Sequence, residues 1–120
     1  MSARTPMRSE IWLAELDPTR GHEQGGRRPC LVISNDMFNE GPAGLVVILP
    51  VTSKDKHIRF HIPINPPEGG LKSRSFIKPE DIRSISRERL VKKTGAVSVS
   101  TMKTVTDRLR VLLDIYAFEE

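Results

Sequence analysis

A small, strongly curved β-barrel or sandwich closed by one C-terminal helix is the fold that this sequence predicts. Short apolar runs recur roughly every ten residues, and turns rich in glycine, proline and asparagine separate them. After Ser100 the hydrophobic period lengthens to three and four residues. At 120 residues the chain is one domain with a single modest core. Residues 1–8 are expected as a flexible leader and 9–120 as the folded domain, with no repeat or linker to divide it.

E-I-W-L-A-E-L (10–16) would make only two turns as a helix before Asp17-Pro18 stops it, so a strand buried on both sides is expected. P-C-L-V-I-S (29–34) is a second strand, with Pro29 at its first residue, where a missing N–H is tolerated. N-D-M-F-N-E-G-P-A-G (35–44) reads as turn chemistry, and the most apolar run, 44–53, as a central strand. I-R-F-H-I-P-I (58–64) alternates, setting its isoleucines and Phe60 on one face and Arg59 and His61 on the other. After the 65–70 turn, 75–86 is one extended segment, with Pro79 suggesting an edge or a bulge. Met102, Val105, Leu109, Leu112, Leu113 and Tyr116 form one stripe of an amphipathic helix, with Ser100 or Ser98 as its N-cap.

Nineteen Lys and Arg against fifteen Asp and Glu leave a charge of +4, a mild surplus that favours an anionic partner. The single cysteine, Cys30, excludes an internal disulfide and any multi-cysteine zinc site, and is expected as a small buried hydrophobe. No run approaches the ~18 apolar residues of a membrane span, and the opening residues lack the apolar segment of a secretory signal. A cytoplasmic location with no membrane association is the expectation.

The connector G-H-E-Q-G-G-R-R-P-C (21–30) carries more polar chemistry than a turn needs. Its Gly21–Gly26 spacing matches a phosphate-binding P-loop. However, Arg27 and Arg28 replace the Lys-Ser/Thr pair, and Pro29 leads into a strand rather than a helix. His22-Glu23 lacks a second histidine, and His57 and His61 in a strand would stand about 13 Å apart, so no metal or cofactor is expected. Metal-free RNA cleavage fits better. The 2′-OH of RNA can attack its own phosphorus if charge on the non-bridging oxygens is neutralised and protons are moved. Arg28 suits the first task and Glu23 the second. A surface ion pair between Glu23 and Arg28, tying down a hairpin loop, explains the same two residues.

The run D-P-T-R-G-H-E-Q-G-G-R-R-P (17–29), following E-I-W-L-A-E-L, resembles the opening of the MazF/PemK family of toxin endoribonucleases. L-P-V-T-S (49–53) and F-I-K-P-E-D-I-R-S-I (76–85) resemble two further family segments in the same order, and the likeness spans about residues 8–116. The resemblance implies a homodimeric, SH3-like (CcdB/PemK-like) barrel cleaving single-stranded mRNA without metal, to 2′,3′-cyclic phosphate and 5′-OH ends. It also implies a type II toxin restrained by a cognate antitoxin, whose acidic tail would occupy a basic RNA groove. By position it assigns phosphate binding and proton transfer to Arg28, a phosphate hydrogen bond to Thr52, and a catalytic part to Glu23. Gln24, Arg27, Ser53 and Lys54 would contact flanking nucleotides, and Glu80, Asp81 and Arg83 would contribute to base reading.

Two alternatives stay open at this point: a gyrase-targeting toxin of the CcdB type, acting through its terminal residues 117–120, and a non-catalytic RNA-binding module. For Thr52 alone the plain reading is a strand-end threonine satisfying a turn. The helix stripe is expected as core or dimer packing, Trp12 as barrel core, Lys92 and Lys93 as a solvated turn or phosphate contacts, and His57 and His61 as bystanders.

Overall fold

A computed structural model describes residues 5–116. Seven strands and two helices follow in the order β1 (Glu10–Glu15), β2 (Arg27–Val32), α1 (Asp36–Glu40), β3 (Leu45–Thr52), β4 (Ile62–Ile64), β5 (Ser75–Ile77), β6 (Arg83–Ser86), β7 (Leu90–Ala96) and α2 (Val99–Leu113). Every pairing is antiparallel, in the order β4-β5-β3-β2-β1-β7, with β6 also on β3. The result is a curled sheet of the expected mainly-β, half-barrel kind plus a C-terminal helix.

β3 is the hub. One edge pairs with β2, while the other is shared: Leu45–Ile48 pair with β6 and Val51–Thr52 with β5. The change of partner falls around Pro50, which has no N–H for a ladder and whose carbonyl accepts Lys78 N–H at 3.0 Å. Because the sheet is covered on both faces, its strands read as unbroken apolar runs. Ile11, Leu31, Leu49, Val51 and Ile77 pack with Val97, Met102 and Val105 on the α2 side, while Trp12, Ala14, Cys30, Val32, Val46, Ile48 and Ile85 fill the other.

Ser98 is the N-cap of α2: its side chain accepts Thr101 N–H, and Asp114 ends the helix in the left-handed region. Of the stripe, Met102 and Val105 are core, whereas Leu112, Leu113 and Tyr116 are exposed. Four local expectations are corrected. Residues 36–40 form a short helix rather than turn alone, because Asn35 Oδ1 caps it by accepting Phe38 N–H at 2.7 Å. Residues 58–61 are not strand: Ile58 is exposed, and His61, expected outside, is buried. Residues 75–86 are two strands split by a 3-10 turn at Pro79–Asp81. The strand β7 was not expected at all.

Residues 1–4 of the expected leader lie outside the described residues. Its end is tied down: Pro6 is buried and its carbonyl accepts Asn39 Nδ2, while Arg8 N–H donates to Asp36 Oδ1 at 2.8 Å. No described helix is long and apolar enough to cross a membrane.

Candidate active site

β1 and β2 pair as far as Glu15↔Arg27, and Leu16 N–H closes their connection on Gly26 O at 3.0 Å. The intervening loop folds on itself so tightly that a Cβ on Gly25 would stand 2.5 Å from Asp17 Oδ1 and 2.8 Å from Thr19 Oγ1. Gly26 follows at φ +78°, a backbone region that glycine enters freely. Arg28 Nε donates to Gly25 O at 2.6 Å. Among the described residues, the terminal nitrogens of Arg28 make no hydrogen bond or ion pair, and they form a planar fork free to bind an anion. Glu23 does not pair with Arg28; its Oε1 accepts the N–H of Arg20. The ion-pair explanation of the loop therefore fails.

Cys30 pairs with Pro50 across β2 and β3, and Val32 with Ile48. The β2–β3 ladder ends at Cys30↔Pro50; carried two residues further, the same register would bring Arg28 opposite Thr52, where side chains on one face stand about 5 Å apart at their Cβ atoms. By alternation both would continue the face that holds Cys30 and Ile48, at the rim of the second core layer. The charges of Arg28 and Arg83 both reach the Cys30 thiol. Burial nevertheless dominates and pushes that thiol up to about 12, which leaves it inert as a nucleophile. Thr52 is 5% exposed and accepts Lys54 N–H at 3.2 Å, as a strand-end threonine would, and its hydroxyl proton remains available to donate.

Beside this pair lies a groove of about 440 Å³ lined by His22, Glu23, Lys56, Ile58, Lys78, Glu80 and Asp81. One wall is the loop that ends at Arg28, another the connector that starts after Thr52, and the third the Pro79–Asp81 turn. Three carboxylates against two lysines make it acidic in balance. Lys78, almost fully buried, bridges Gln24 Oε1 at 2.8 Å and Asp81 at 3.2 Å, and Gln24 N–H donates to Asp81 at 3.0 Å. Glu80 accepts from His61 Nε2 at 2.5 Å.

The sequence-derived residues thus divide. Glu23, Glu80 and Asp81 line the groove and Gln24 is bonded to it, while Arg28 and Thr52, outside the lining, sit where two of its walls join β2 and β3. Ser53 and Lys54 are exposed on the connector. Arg27 is drawn away into an exposed ion pair with Glu15 at 2.6 Å, and Arg83 is spent on Leu16 O at 3.1 Å. His22, Lys56, Ile58 and Lys78 were missed as groove residues, and His61 as the partner of Glu80 behind it. A strict strand reading of 58–64 hid Ile58 and His61, and a lysine before a proline gives no signal of its own. Among the described residues no three His, Cys, Asp or Glu side chains cluster as metal ligands. The terminal residues 117–120, on which the gyrase alternative turns, lie outside the described residues.

Comparison with known proteins matches residues 7–113 to the family described as PemK-like, MazF-like toxin of type II toxin-antitoxin system. Endoribonuclease MazF9 of Mycobacterium tuberculosis is 35% identical, over 92% of this chain and 98% of its own. Among solved structures, MazF of Deinococcus radiodurans superposes with a TM-score of 0.83 at 30% identity, covering 94% of this chain and 100% of that one. A MazE–MazF structure from the same organism gives 0.78 at 30% identity, covering 95% and 100%.

Proposed function

This chain belongs to the PemK-like, MazF-like toxins of type II toxin–antitoxin systems, and from that membership we propose a metal-independent endoribonuclease that cuts single-stranded RNA at the Arg28–Thr52 pair. What supports the site is the β2–β3 register, which, carried two residues past Cys30↔Pro50, would bring a guanidinium with unbonded terminal nitrogens opposite the Thr52 hydroxyl.

In this reaction the 2′-oxygen of the substrate attacks the adjacent phosphorus while its proton passes to a carboxylate, for which Glu23 is the candidate on the loop. Arg28 binds the two non-bridging oxygens bidentately, where negative charge grows, and Thr52 donates a hydrogen bond to one of them. The bond from phosphorus to the 5′-oxygen then breaks. The leaving oxygen takes a proton, and the products carry a 2′,3′-cyclic phosphate and a 5′-OH. Rigid placement of the phosphate supplies much of the acceleration, since nucleophile and leaving group already belong to one chain.

A cognate antitoxin protein restrains the toxin, and the cytoplasm, where both meet mRNA, is the proposed place of action. Ser53 and Lys54, both exposed, would meet flanking nucleotides. Arg27 does so only by releasing Glu15. The end of α2 exposes Val111, Leu112, Leu113, Ile115 and Tyr116 together, an apolar surface that a second copy would cover in a homodimer. The test is incubation of purified protein with a defined RNA in EDTA, followed by analysis of the ends. Cyclic-phosphate termini at a reproducible sequence are expected. RNA left intact in EDTA, or cut to 3′-OH ends, would contradict the proposal.

A further inference from the structure

The proposed reaction leaves a buried side chain behind the groove wall without a task. His61 sits just before β4 with its side chain 2% exposed, and its backbone N–H is fixed on Ile58 O at 3.0 Å. Its Nε2 lies 2.5 Å from Glu80 Oε2, while its Nδ1 is buried with no partner among the described residues. An ionised carboxylate only accepts, so Nε2 carries the proton and donates it to Glu80. Burying an imidazole with one nitrogen unsatisfied costs stability that a leucine here would not. The ring needs a reason, and its only polar contact is the carboxylate on the groove wall.

Glu80 differs from its neighbours in being free on the groove side. Asp81 and Gln24 are both committed to Lys78, whereas Glu80 has a side chain 38% exposed and, among the described residues, a second oxygen without a bond. A carboxylate facing RNA repels phosphate. It is attractive only to hydrogen-bond donors on a base, above all an exocyclic amino group, which cytosine, adenine and guanine carry and uracil lacks. We propose that His61 is a positioning residue that aims the free oxygen of Glu80 into the groove, so that Glu80 reads an amino-bearing base next to the cut. The inference rests on the endoribonuclease reading of this groove.

The test starts from the site that the wild-type protein cuts, mapped in EDTA. Substrates then lose one amino group at a time: guanosine to inosine, adenosine to purine riboside, cytidine to the 4-deamino pyrimidine. Wild type is expected to slow at least ~10-fold at one position, the scale of one lost base contact. At that position His61→Phe and Glu80→Ala should cut both substrates alike, and the double variant should be no worse than Glu80→Ala. His61→Gln, which returns an N–H donor, should recover part of the discrimination. Absence of amino dependence at every position, wild-type discrimination in His61→Phe, or additive losses in the double variant would overturn the proposal. A nitrogen-15 NMR spectrum of the wild-type imidazole tests the link with no variant: the Nε2–H form is expected, and the Nδ1–H form would refute it. If the wild type cuts no RNA, the endoribonuclease reading fails. The spectrum still decides the His61–Glu80 bond separately.

Discussion

The two connectors that flank the Arg28–Thr52 pair are built in opposite ways. The loop after β1 is gripped from distant parts of the chain. Arg83 donates to Leu16 O, Arg89 to Glu15 O and Asp17 O, and Lys78 to Gln24 Oε1. Among the described residues, the connector after β3 has only local side-chain ties until His61: Lys54 N–H to Thr52 Oγ1 and His57 N–H to Asp55 Oδ1. Ser53 to Arg59 are all exposed. The proposed reaction needs groups held still before substrate arrives, and the first loop is the connector built that way. Contacts to flanking nucleotides tolerate a softer wall, and a change there leaves the reacting groups in place.

Arg28→Ala should have the largest effect, lowering single-turnover cleavage at least ~10²-fold with a much smaller loss of RNA binding. Near wild-type cutting would remove the gripped loop from the chemistry. Gly25→Ala sets the new methyl against the Asp17 and Thr19 side chains, so those side chains or the loop that carries them must move. Cleavage should fall roughly 10-fold or more while the melting temperature of the barrel barely moves. Lys78→Met leaves Asp81 without its cation, and urea unfolding should show a loss of about 1–3 kcal/mol. Lys54→Ala, on the soft connector, should change cleavage at saturating RNA by less than about 3-fold and flatten the salt dependence of binding by about 0.7 in slope. A larger effect from Lys54→Ala than from Gly25→Ala would reverse the comparison.

The smallest effect calibrates the rest, because it lies away from both connectors. Burial raises the Glu10 carboxyl, but Lys93, the Met7 amide and the Trp12 indole together outweigh it and hold it below its ordinary value. A lowered folded value means stability that is present above about pH 4.5 and is lost as the pH falls through the folded value. Glu10→Gln should therefore flatten the acid side of the stability profile and leave RNA cleavage at neutral pH unchanged.

Much of this arrangement was legible in the residues. Doubly covered strands announce themselves as apolar runs, so β1, β2 and β3 fell where 10–16, 29–34 and 44–53 suggested, and Ser98 was visible as a cap. The antiparallel pairing of β2 with β3 puts the start of one run beside the end of the other, as the reading of Arg28 and Thr52 required. β7 was illegible because V-K-K-T-G-A has few apolar residues; it is held by pairing with β1 rather than by its own pattern. The alternation of 58–64 was real in sequence, but the 58–61 backbone turns instead, which buries His61 and exposes Ile58. The Lys78 clamp joins residues 54 positions apart, and no local pattern encodes such a contact.

The most direct measurement is a double-mutant cycle on single-turnover cleavage with Arg28→Ala and Thr52→Val. If both side chains hold one phosphodiester, the double variant will be hardly slower than Arg28→Ala alone, because groups that act as a unit fail together. Rate losses that multiply independently would mean that the guanidinium and the hydroxyl do not share a phosphate.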